Sequence, residues 1–333
     1  NRGDCLSHRG VARELAAWYG LDLPAPEART FAPSASSPTP ESLLDGLSVT
    51  TPDCPYYTAW CVQGVKITDS PDWLKRDLEA VGLRPVNNVV DITNWVLMDL
   101  GQPLHAFDAA KLHSKCLNIR EAAEGESITT LDERKRKLTE GMMVIADAGR
   151  PLVVAGVMGS LDAEVDEATT DIVLESAWFA PGSIRATSRR LALSTDSSYR
   201  FARNVDPAMV ELAARRALDL ILEYAGGALA GPAVVVGEPP RGPQSILFEP
   251  EQVRTVAGYP VGDAMIEKTL TALGFSVERA GQSWSVTVPT HRWEVTRPID
   301  LVEEVLRLHG TREIPQADVA GRALARENDP LAV

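Results

Sequence analysis

The stretch NNVVDITNWVLMDLGQPLHAFD, residues 87–108, mixes amides, hydroxyls and carboxylates with residues that belong in a core. Val89, Val90, Ile92, Trp95 and Leu97 imply burial, so the polar groups of Arg84 to Asn94 must find partners. A network of Asx turns and caps at a helix entrance is one reading, since Asn and Asp bond readily to nearby backbone. A polar pocket lining is the other. The stretch ends on Gln102-Pro103-Leu104-His105-Ala106-Phe107-Asp108, which places a histidine beside a proline-fixed turn, with Asp108 near enough to orient a ring nitrogen. Imidazole titrates near working pH and can position or activate water, although a lone histidine is more often structural.

Outward from this stretch, short β-like runs alternate with helical runs from residue 46 to about 237. They include Ala59-Val65, Leu117-Arg120, Met142-Ala146, Leu152-Ala155 and Ile172-Leu174. That pattern predicts a mixed α/β domain. Asp206, Pro207 and the apolar Met209, Leu212, Leu220 and Tyr224 mark its last helix, with Gly226-Gly227 behind it. The Gly/Pro stretch 237–243 supplies a boundary. Beyond it, helices over 250–257 and 263–273, strands over 275–278 and 283–288, and a helix over 298–308 make a small helix-plus-hairpin α+β module. Two helices and a hairpin also suit a winged helix, but nothing basic marks a recognition face. At the other end Ser7 caps a helix with Val11, Leu15 and Trp18 at helical spacing, closed by Gly20. The Pro/Ala/Ser stretch 24–37 reads as a linker. The predicted layout is a first piece over 1–23, a linker over 24–45, a central α/β domain over 46–240, a small α+β module over 241–317, and a tail or next module over 318–333.

The chain has 333 residues, 44% hydrophobic and 24% charged. It shows neither a signal-peptide centre nor an apolar run near the roughly 20 residues of a membrane helix. A cytoplasmic protein with no membrane association is expected. Thirty-three basic and 46 acidic residues leave a net charge of −13, which argues against wrapping nucleic acid by phosphate neutralisation, so any RNA contact must be local. Cys5, Cys54, Cys61 and Cys116 lack zinc-site spacing and read as free thiols.

Three further features carry chemistry. Val153-Val154-Ala155-Gly156-Val157-Met158-Gly159-Ser160 is an apolar strand breaking into glycines, which suits either a tight turn or close approach of a ligand to backbone. Glu175 sits between apolar runs, where a carboxylate requires a partner: a salt bridge to Arg185 or Arg189, or a donor brought by a ligand. Arg185, Arg189, Arg190, Arg200 and Arg203 fall within 19 residues of an acidic chain, and either pair with local acids or grip an RNA end.

In order and spacing, residues 87–108, VVAGVMG (153–159), VLESAWF (173–179) and LSTDSSYRFARNVDP (193–207) resemble the bacterial phenylalanyl-tRNA synthetase beta chain. NRGDCLS at the start and VPTHRWEVTRPIDLVEEVLRLHG (288–310) match too. The resemblance implies a remnant of the first module, then the tRNA-editing domain, then the small module that follows it. It implies hydrolysis of mischarged tyrosyl-tRNA(Phe), with Glu175 accepting the tyrosine hydroxyl. Thr93, Asn94 and His105 would assist catalysis, with Ala155, Gly156, Arg84, Thr195 and Ser197 around the substrate. It also implies tRNA(Phe) and an alpha subunit, which attaches phenylalanine using ATP, as partners in an alpha2–beta2 heterotetramer. Magnesium is implied at Glu294, Asp300, Glu303 and Glu304. The chain departs from the family pattern at Ser197, Ala202, Asn204 and Glu294, where the family usually has alanine, an acid, glycine and aspartate. A noncatalytic tRNA-binding and assembly scaffold is the alternative.

Overall fold

A computed structural model of the chain describes residues 2–29, 31, 39–240, 242 and 244–310. Expectations for 318–333, for the last module beyond 310 and for 32–38 of the linker lie outside the described residues. The architecture turns on two neighbouring strands, Tyr56–Gln63 and Asp171–Trp178, which pair antiparallel over eight residue pairs. Both read as nearly continuous apolar runs because both faces are covered. Alternate residues feed different cores. Tyr57, Ala59, Cys61, Val173 and Ala177 enter one, while Trp60, Val62, Ile172 and Leu174 enter the other.

Leu104–Asp108 pairs with the free side of Asp171–Trp178, and Ala228–Leu229 and Val234–Gly237 pair with Tyr56–Gln63. The first core lies between this sheet and a five-stranded one, ordered Gly46–Val49, Cys116–Glu121, Met143–Asp147, Arg150–Val154 and Met158–Gly159. The second core lies between the same sheet and helices. Val89, Ile92, Val96 and Leu100 come from Asn88–Leu100, Leu74 and Leu78 from Asp72–Ala80, and Ala213, Ala214, Ala217 and Ile221 from Met209–Tyr224. The α/β expectation is met by a sheet–sheet–helix sandwich.

The helix entrance at residue 87 follows from its amides. Asn87 Oδ1 accepts from the backbone N–H groups of Val89 and Val90, at 3.1 and 2.9 Å. Asn88 donates to the carbonyls of Lys66 and Tyr224 and accepts from Thr68 N–H. Asp91 accepts from Ser70 Oγ and Val86 N–H. These buried polar groups are consumed by structure, as the capping reading requires.

Some details differ from the sequence reading. The last helix of the α/β region starts at Met209 rather than Asp206, whose carboxylate accepts from Ala208 N–H and holds the preceding turn. Ser7 and Gly20 do cap the first helix, His8–Tyr19, but Val11, Leu15 and Trp18 are exposed, and the helix buries Gly10 and Ala16 instead. The small module adds a strand, Gln244–Phe248, so the hairpin Ser276–Ala280/Ser283–Val288 becomes a three-stranded sheet. Helices Glu251–Ala257, Asp263–Ala272 and Pro298–His309 cover it through Val253, Ile266, Leu270, Leu301 and Val305.

Stacking and charge join the modules. Trp178 stacks on Trp293 with ring centres 5.4 Å apart. A closed circuit of alternating charges runs Arg2, Glu14, Arg307, Glu304, Arg292, Glu294 and back to Arg2. Arg292 and Glu304 are its buried members, with side chains 2% and 5% exposed. Arg292 and Arg307 hold the Glu304 carboxyl down at about 2, against the opposing effect of burial. A lowered carboxylate pKa stabilises the fold above the unfolded value near 4.3, and that contribution is lost as pH falls toward 2. Glu304→Gln is expected to cost ~3 kcal/mol at pH 7 and little near pH 2, read from urea unfolding at the two pH values.

Candidate active site

Glu175 occupies the centre of the middle strand. Its register partners are Ala59 on one side and His105 on the other, so carboxyl and imidazole project from the same face as nearest cross-strand neighbours. They stand side by side in one sheet rather than across a pocket. The face they share is turned to the other sheet, inside the first core. Glu175 is 5% exposed, and among the described residues its Oε2 reaches no partner in hydrogen-bond geometry. Neither Arg185 nor Arg189 reaches it: Arg185 donates to the Ala202 carbonyl at 2.7 Å. Burial pushes the Glu175 carboxyl up to about 8, only partly offset by the nearby Tyr57 hydroxyl.

His105 is held edge-on against Phe107, ring centres 4.6 Å apart, and its buried Nε2 is also without a hydrogen-bond partner among the described residues. Desolvation pushes the imidazole down to about 4, so it is neutral at pH 7. Asp108 does not orient it. Three residues along a strand points the other way, and Asp108 accepts from Ala110 N–H and Thr169 Oγ instead.

The glycine-rich run meets the histidine at Gly159, where a Cβ would come within 2.8 Å of His105 Cε1 and 3.4 Å of Nε2. Gly156 has a different reason to be glycine. Val157 N–H bonds the Val154 carbonyl across a turn, Gly156 adopts φ +66°, and a Cβ would press on Ile184, Phe179 and Phe201. Ala155 is buried, its N–H donating to the Met143 carbonyl.

The other candidates are not gathered around Glu175. Thr93 and Asn94 belong to the helix whose apolar face fills the second core, across the sheet from Glu175 and His105. Thr93 Oγ donates to the Val90 carbonyl. Arg84 is exposed. Thr195 caps the helix Asp196–Phe201, its Oγ bonded to the Val157 carbonyl and accepting from Ser198 N–H, so it ties that helix to the glycine turn. Ser197 is half-buried on the same helix.

Sequence reasoning missed Tyr57, Cys54 and Gly159. Tyr57 is wholly buried, and among the described residues its hydroxyl reaches no partner in hydrogen-bond geometry. Burial, with a smaller contribution from Glu175, pushes the Tyr57 and Cys54 groups up. Gly159 lay within a motif already singled out, but the strand register that brings Tyr57 to Glu175 has no local signal.

Of the arginines, Arg190 and Arg200 donate to carbonyls, Arg200 also to Asp196; Arg185 and Arg203 donate to the Ala202 and Tyr199 carbonyls and, with Arg189, line a cleft of about 940 Å3. The same cleft is lined by Trp293 and by Glu294, Asp300, Glu303 and Glu304. The four carboxylates expected to hold magnesium do not suit it. Glu294 and Glu304 are engaged by Arg292, Asp300 caps its helix and pairs with Arg297, and Glu303 stands exposed. Among the described residues they form no convergent set of oxygens, unlike the shared shell a hard cation requires.

Comparison with known proteins adds the family. The B3/4 domain profile matches residues 53–226, more than half of the chain. The chain belongs to the B3/4 domain family. A tRNA synthetase B5 domain matches residues 246–311, the small α+β module. Phenylalanine–tRNA ligase beta subunits from Rhodopirellula baltica and Moorella thermoacetica are 44% and 45% identical, over 95% and 100% of the chain. The resemblance read from the motifs is thereby borne out. The chain spans 46% and 41% of those relatives. A crystal structure of an N-terminal fragment of the phenylalanyl-tRNA synthetase beta-subunit from Pyrococcus horikoshii is similar at TM-score 0.45 and 16% identity, covering 93% of this chain and 84% of that one. Among the described residues no helix is long and apolar enough to cross a membrane.

The carboxyl at the centre of the B3/4 region has a measurable signature. A raised acid pKa means the folded chain holds a proton that the unfolded chain releases, so stability falls as pH rises from about 4 toward 8. Glu175→Gln removes that cost. The variant should match the parent near pH 4 and exceed it by on the order of a few kcal/mol at pH 9, measured by chemical denaturation.

Proposed function

We propose that this chain is the editing segment of a phenylalanine–tRNA ligase beta subunit and hydrolyses tyrosine wrongly esterified to tRNA(Phe). The observation that carries the reading is the buried Oε2 of Glu175, which among the described residues completes no hydrogen bond of normal geometry. A phenol O–H donated to it satisfies both groups, whereas a phenylalanine ring leaves the carboxyl desolvated and unmatched. Sites built this way reject the analogue lacking the hydroxyl strongly, because an unmet buried polar group costs ~1–3 kcal/mol or more.

The neutral His105 beside it is in the right state to accept a proton from water. In the proposed reaction water attacks the ester carbonyl, the acyl–oxygen bond to the terminal ribose breaks, and the ribose oxygen takes the proton. No acyl-enzyme forms. Gly159 keeps the imidazole close to the glycine turn by leaving room for it. The arginines of the neighbouring cleft, Arg185, Arg189 and Arg203, are suited to the phosphates of a tRNA end despite the net charge of −13. An alpha subunit in an alpha2–beta2 assembly would supply the synthetic site, and localisation would be cytoplasmic.

The test uses the intact alpha–beta enzyme charged with each amino acid. His105→Ala should slow release of tyrosine from tyrosyl-tRNA(Phe) by roughly 100-fold or more. Glu175→Ala should collapse the preference for tyrosine over phenylalanine by a similar factor. Full editing in both variants would instead favour a noncatalytic tRNA-binding and assembly scaffold.

A further inference from the structure

The Glu175 site holds a second buried polar atom that structure leaves unused. Tyr57 is fully buried, and among the described residues neither its hydroxyl nor Oε2 of Glu175 completes a hydrogen bond of normal geometry. The two residues are diagonal neighbours. Tyr57 pairs in register with Ala177 and Glu175 with Ala59, so both side chains project from one face of adjacent strands, within reach for long side chains. The Tyr57 hydroxyl lies close enough to hold the carboxyl down as a hydrogen-bonding neighbour does, but the contact falls short of hydrogen-bond geometry. Two orphaned polar atoms at one buried spot are unusual, because nearly all such groups find partners.

We infer that Tyr57 is a specificity-determining residue of this site, and that Tyr57 and Glu175 together read one ligand hydroxyl, which donates to Glu175 Oε2 and accepts from the Tyr57 O–H. This rests on the editing site proposed above and deepens it: the group recognised must donate and accept at once. A phenol does both. An aryl methyl ether accepts but has no proton to give, an aryl amine donates but accepts poorly, and an unsubstituted ring does neither. A single carboxyl would not separate the amine from the phenol, whereas the pair does.

Tyr57→Phe deletes only a hydroxyl whose contact with Glu175 falls short of hydrogen-bond geometry, so folding should be retained, checked by thermal melting. The measurement is release of amino acid from tRNA(Phe) charged with tyrosine, phenylalanine, O-methyltyrosine or p-aminophenylalanine, using the intact alpha–beta enzyme. The parent should rank tyrosine first, p-aminophenylalanine below it, and O-methyltyrosine and phenylalanine last. In Tyr57→Phe, tyrosine release should fall roughly 10-fold relative to phenylalanine, with p-aminophenylalanine brought level with tyrosine. Unchanged tyrosine preference in a folded Tyr57→Phe enzyme overturns the role of Tyr57 while leaving the editing site standing. If the parent itself does not prefer tyrosine, the editing reading fails and this one with it. Should the variant not fold, the ranking by the parent decides: p-aminophenylalanine released as fast as tyrosine overturns the inference, and the order given supports it.

Discussion

The register between Tyr56–Gln63 and Asp171–Trp178 is the constraint on which the rest of the molecule depends. Both faces of this pair are covered, one by a second sheet and the other by helices, so a slip of one residue would exchange the contents of two cores. It would move Glu175 and Tyr57 to the helical side and bring Leu174 and Trp60 to face the other sheet. The candidate site therefore exists only in this register. Its polar atoms are carried by the same alternation that packs the cores.

A carboxyl in such a place is costly, and the surroundings do little to relieve it. Tyr57 offers an incomplete contact, His105 is neutral, and among the described residues no arginine pairs with it. The chain elsewhere handles buried charge quite differently. Glu304 is just as enclosed but has two guanidinium partners, and its carboxyl is held low instead of high. Two glutamates of similar burial are thus pushed in opposite directions by the presence or absence of partners. The contrast separates a carboxylate that builds a module interface from one left available to a ligand.

Glycine plays two separate parts around the site. At Gly156 it permits a left-handed turn packed under aromatic rings, and at Gly159 it makes space for the edge of His105. Thr195 anchors its helix to the carbonyl of Val157 between them, so the capping box and the glycine turn form one frame. Thr93 and Asn94, close to His105 in the chain, belong to the far side of the sheet instead.

Local chemistry was enough for the sequence alone to determine the capped ends at Ser7 and Gly20, the amide-built helix entrance at Asn87, most apolar strands and the placing of Glu175 in a buried run. These depend on residues a few positions apart, where propensity and hydrogen-bonding reach act directly. Tertiary structure decided what those elements meet. It put Glu175 beside His105 and Tyr57, sent Asp108 toward Thr169, turned Val11, Leu15 and Trp18 outward, and drew Glu294, Asp300 and Glu304 into arginine pairs. The physical reason is that strand register and module docking are fixed by summed burial across residues more than 40 apart in sequence, which no local pattern encodes.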